Sequence, residues 1–129
     1  LTEDASRRTE IERMFTAYVV VTLVTIVTNL GAAIADFQKA AFVLANSARL
    51  GIPQKWLPML ATLKAAGAAG LVAGLLGVPY IGTAAAIGLV VFFVGAVALH
   101  VRAREFRKIA IPGGYLALAA ASLALGVVP

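Results

Sequence analysis

Charges fall in short clusters along this chain, and the apolar runs between them are long enough to cross a bilayer. After a charged opening, residues 1–13 (LTEDASRRTEIER), no charge occurs over the 22 residues from Met14 to Ala35; such a helix is roughly 33 Å long, against about 30 Å of hydrocarbon. The pattern predicts a first span over 14–35. Residues 37–55 mix Phe42, Val43, Leu44 and Leu50 with Lys39, Asn46, Arg49 and a Gly51-Ile52-Pro53 break, which reads as a short interfacial helix and turn. From Trp56 to Val101 the sole formal charge is Lys64, and 46 residues make two crossings rather than one. The break at Gly77-Val78-Pro79 divides them into spans over 56–76 and 80–100, with the amphipathic rings of Trp56 and Tyr80 at the membrane interface. A basic loop, Arg102 to Lys108, leads into a fourth apolar run that predicts a span over 109–128.

The expected fold is therefore all-α: a four-helix transmembrane bundle over 14–129, with a short interfacial helix after the first span. The segment 1–13 is an extension to which no function is attached, and Met14 would serve as a natural start. Composition agrees, because 61% of the 129 residues are hydrophobic and mean hydropathy is +0.94. A soluble domain of this size has too little interior to hide that much apolar surface.

The net charge of +5 would suggest nucleic acid in a soluble protein, but here the basic residues flank spans, and no nucleic-acid partner is expected. Lys39, Arg49, Lys55, Arg102, Arg104, Arg107 and Lys108 lie in the loops after spans one and three, against Arg7, Arg8 and Arg13 on the other side. The positive-inside rule then places those loops in the cytoplasm and both termini outside a multi-pass protein of the cell membrane. With no cysteine, disulfides, thiolate metal sites and iron–sulfur ligation are excluded. A single histidine rules out a multi-histidine metal site, so any redox role needs a bound molecule or a partner subunit. No covalently bound cofactor is expected.

In lipid, small residues that let backbones approach carry much of the helix packing. Gly67, Gly70, Gly74 and Gly77 recur at steps of three and four in span two and read as a packing face. Polar groups inside a bilayer are costly and are therefore candidates for function. Lys64 lies on the glycine face and points into the bundle, unless its long stem returns to the interface. Span one carries a stripe of Thr22, Thr25, Asn29, Asp36 and Lys39 on one face. The Asn29 amide needs a partner from another helix or from a ligand. Asp36, Lys64 and His100, the last at the end of span three, converge on the cytoplasmic half of the bundle. A carboxylate, an amine and an imidazole around an apolar cavity suit a polar head group or proton exchange with a reduced quinone. Helix ends are also ordinary places for charges, so a plain interfacial role stands beside that reading for Asp36 and His100.

The stretches Leu50-Gly51-Ile52-Pro53, Trp56-Leu57-Pro58, Leu63-Lys64-Ala65-Ala66-Gly67-Ala68-Ala69-Gly70-Leu71 with Gly74-Leu75, and Ala98-Leu99-His100-Val101-Arg102, in this order, resemble the DoxX-like family of small four-helix membrane proteins. The resemblance runs from Met14 to the C-terminus. It implies a membrane location and an association with redox chemistry, the family's name coming from a subunit of a thiosulfate:quinone oxidoreductase. A quinone is thus the non-covalent cofactor it suggests, and Lys64 and His100 are the positions that match the family pattern. Small multidrug-resistance transporters share only the outline, since they need a glutamate inside the first span.

Three functions follow in descending order. The first is binding of a quinone or other lipid-like molecule in a pocket between spans one, two and three, lined by Asn29, Asp36, Lys64 and His100. It would serve a redox system or a small membrane enzyme whose catalytic residues are unassigned. The second is a structural or assembly subunit, in a closed bundle with Lys64 paired to Asp36. The third is transport, which needs a site reachable from both sides. Glycine faces left over suit a homo-oligomer.

Overall fold

The structure, a computed structural model, describes residues 2–127; residue 1, with which the expected extension 1–13 begins, and residue 128, with which the expected span 109–128 ends, lie outside them, as does residue 129. Five α-helices follow one another: α1 Thr2–Phe37, α2 Ala41–Leu50, α3 Leu57–Leu75, α4 Ile81–Arg102 and α5 Ala110–Gly126. Short 3-10 turns at Gln54–Trp56 and Phe106–Lys108 lead into α3 and α5. Four helices are long and apolar enough to cross a membrane, as the spacing of charges predicts. From Thr2 onward α1 continues unbroken through the charged opening into the first span. Its 36 residues extend about 54 Å, so the first few turns project beyond a bilayer core.

α1 and α4 face each other diagonally, each flanked by α3 and α5, whereas α2 stands apart from this four-helix core. Large apolar side chains point outward from the spans, among them Val27, Ile34 and Val94, each more than half exposed. The interior is built instead from Ala61, Ala68, Leu71, Leu89, Phe93 and Ala119. An apolar outside around a small-residue inside is what lipid as solvent requires.

The packing face on α3 divides in two. A Cβ added at Gly70 would fall 2.6 Å from the Ala85 Cβ, and one at Gly74 would fall 2.7 Å from the Gly82 Cα, so α3 and α4 touch almost backbone to backbone. Gly67 sits equally tightly under Leu89. Gly77 does not belong to this face. It has φ +94° with open space around it, and its amide hydrogen-bonds back to Gly74 O at 3.1 Å. It ends α3 in a left-handed turn that a side chain would strain. Spacing alone could not separate that role from packing.

Candidate functional site

The polar stripe of α1 faces inward as expected: Thr22, Thr25, Asn29 and Asp36 are all buried. Lys39 is not part of it, because α1 ends at Phe37 and Lys39 turns out with φ +50°. In the half of the bundle near the chain termini, the stripe is closed by partners. Thr22 Oγ1 and Ser122 Oγ are 2.7 Å apart, and Thr25 Oγ1 donates to its own helix at Val21 O, 2.7 Å away.

Toward the end that carries the two basic loops, the helices part around a cavity of about 840 Å³, within the range of small-molecule sites. Its wall is mostly apolar, with Leu60, Leu63, Phe92 and Leu99 prominent. All five helices contribute, where the sequence suggested three spans. α2 turns Val43 and Ser47 toward it. α5 adds Tyr115, and the 3-10 turn that leads into it adds Lys108.

Asp36, Lys64 and His100 all line this cavity. Asp36 falls in the last turn of α1, where the helix dipole disfavours a carboxylate, and the remedy comes from α3. Lys64 Nζ donates to Asp36 Oδ2 at 2.8 Å, with side chains only 15% and 7% exposed. The ammonium also stands over the Phe92 ring, 5.6 Å from its centroid. Lys64 is thus paired across the bundle to the last turn of α1. It is held within the bundle, and two of its three N–H groups remain for other acceptors.

His100, in the last turn of α4, is 5% exposed. Its Nδ1 lies 2.7 Å from Ala96 O; a carbonyl can only accept, so Nδ1 carries a hydrogen and Nε2 is the nitrogen left for a ligand. Tyr115 spans the cavity's inner edge, its hydroxyl donating to Thr28 O at 3.3 Å and its ring 5.2 Å from that of Phe93.

Asn29 differs from the expectation. It is fully buried but is not among the residues that line the cavity, because it sits two turns deeper than Asp36, where the helices have already closed. Its Nδ2 donates to Thr25 O at 2.9 Å, and its Oδ1 has no partner among the described residues. Conversely, sequence reading missed Tyr115 and Lys108. The first is one aromatic in an apolar run. The second reads as one more loop charge.

These features define a class: a small four-span membrane protein with an intramembrane cavity whose apolar wall holds an ion pair and an imidazole. The chain belongs to the DoxX-like family, whose model matches residues 20–122, a stretch that includes the whole cavity wall. No curated protein and no solved structure matches the chain.

Proposed function

We propose that this protein binds a lipid-like molecule, a quinone or one of similar build, in the cavity at the basic end of the bundle, and that it does so within a membrane redox system or as a small membrane enzyme. The observation that carries the reading is a mostly apolar space of 840 Å³ whose polar groups include the Asp36–Lys64 pair and a histidine with a free Nε2. Lys64 N–H groups would meet a head-group oxygen, Nε2 would accept from a hydroxyl or donate when protonated, and the apolar wall would hold a tail. In the same reading the basic end faces the cytoplasm, so the head group lies near the cytoplasmic leaflet.

The 2.8 Å contact between Lys64 and Asp36 favours a second reading, in which the pair is a strut of an assembly subunit and needs no ligand. Native mass spectrometry of the detergent-purified chain, followed by organic extraction, separates the two. About one equivalent of a quinone or isoprenoid is the expected result. Bulk phospholipid alone would move the weight to the strut. Because Lys64→Met by itself strands a carboxylate, the informative variant is Lys64→Met with Asp36→Leu. Folded protein that has lost the ligand supports binding; folded protein that keeps it removes the pair from the site.

A further inference from the structure

The charges around the cavity do not balance, and the imbalance identifies a head group. Eight of the eleven basic residues lie at the cavity end of the bundle or line the cavity, with Asp36 and Glu105 as the only acids there; the opposite end has Arg7, Arg8 and Arg13 against four acids, Glu3, Asp4, Glu10 and Glu12. Within the wall itself the one carboxylate, Asp36, is committed to Lys64 at 2.8 Å. Lys108, which lines the same cavity, has no carboxylate within ion-pair distance among the described residues. Two cations and a histidine thus share the space with a single anion.

An uncharged ligand would fill the volume and leave the Lys108 ammonium without a counter-charge on the cavity side. A ligand with one negative charge would supply one. Lys108 is also suitably located. It ends the 3-10 turn Phe106–Lys108, where the basic loop meets the membrane span, and is half-buried, so its stem can lie along the wall with its ammonium turned to an incoming head. Resting on the binding reading above, and narrowing it, we infer that the cavity takes a single-tailed amphiphile with an anionic head of the fatty-acid carboxylate class. The head sits against Lys108, which can donate to it, and the tail lies among Leu60, Leu63 and Phe92.

The test is a competition. The full chain in non-ionic detergent, at a pH where a carboxylic acid is ionised, is offered equal amounts of oleic acid, methyl oleate and a ubiquinone, and the complexes are counted by native mass spectrometry. The acid is expected to outcompete its ester by about tenfold, the effect of one charge contact in a partly desolvated site. That preference should vanish in Lys108→Gln and persist in Lys108→Arg, with both variants checked for the elution volume of the parent protein. Equal binding of acid and ester, or a preference untouched by Lys108→Gln, overturns the anionic-head assignment while leaving a lipid-like ligand standing. Preference for the quinone over both does the same. Binding of none of the three by folded protein removes the ligand reading altogether.

Discussion

The two halves of this bundle are made from the same four helices and solve opposite problems. Near the termini α3 and α4 meet through glycine on glycine, Gly74 against Gly82. There α1 and α5 are joined by the Thr22–Ser122 hydrogen bond, and the Tyr18 ring lies over Gly126, 3.1 Å from where its Cβ would be. Toward the basic loops α3 and α4 bring Leu60, Leu63, Phe92 and Leu99 to the cavity wall, beside small residues such as Gly31 and Ala35 of α1, and α2 enters as an additional wall. Side-chain volume therefore decides where the bundle closes: with no hydrophobic force between helices in lipid, close approach is stable only where residues are small enough to allow it. The closed half is a clamp that holds the open half apart, and the polar groups differ accordingly. In the clamp the hydroxyls of Thr22, Thr25 and Ser122 satisfy one another or the backbone, the Asn29 Oδ1 being the exception; around the cavity Lys64 and His100 retain unused hydrogen-bonding capacity.

The largest effect should come from breaking the balance on the open side. Lys64→Met leaves Asp36 buried without a partner at a helix C-terminus, and loss of one member of such a pair costs about 3–5 kcal/mol. Replacing both residues, Lys64→Met with Asp36→Leu, should recover most of that, since neither charge is then stranded. Unfolding in mixed detergent and SDS measures both. A double variant as unstable as the single one would mean that Lys64 supports the fold through Phe92 and its stem rather than through charge.

The closed side gives a smaller effect with a sharper control. Gly74→Ala brings a methyl within 2.7 Å of backbone that cannot rotate away, and overpacking of this sort costs about 1–3 kcal/mol. Gly88→Ala on the same pair of helices meets nothing within 4 Å and should be silent to about 0.5 kcal/mol. On the proposed binding function, Gly74→Ala should also lower ligand occupancy in the native mass spectrum, because the clamp positions the cavity, and Gly88→Ala should not.

The same division explains what could be read in advance. Spans are legible because a bilayer demands an unbroken apolar run, and the ends of α3 and α4 fall within two residues of where Trp56, Pro79 and Arg102 suggest. The inward stripe of α1 is legible from its period. The depth at which the helices part is not, because it depends on volumes contributed by a different helix. Asn29 and Asp36 share a face yet belong to different halves. Lys108 shows the same limit from the other direction: as a basic residue beside three arginines it reads as an orientation signal, and only the path of α5 brings it to the cavity. Gly77 lies at the right spacing for the clamp, but helix register stops applying once α3 ends.

The smallest expected effect tests whether polar contacts or small residues hold the clamp. Thr22→Val keeps the shape of the side chain and removes one partner of the 2.7 Å contact with Ser122. Hydrogen bonds between membrane helices contribute about 0.6 kcal/mol on average, and Ser122 can still turn its hydroxyl to a carbonyl of its own helix. The loss should therefore be well below that of Gly74→Ala in the same unfolding assay, and the cavity's ligand should remain. A loss from Thr22→Val that equals or exceeds that of Gly74→Ala would reverse the assignment: the hydroxyl pair would then be what draws α1 to α5, and the glycine contact between α3 and α4 would follow from it.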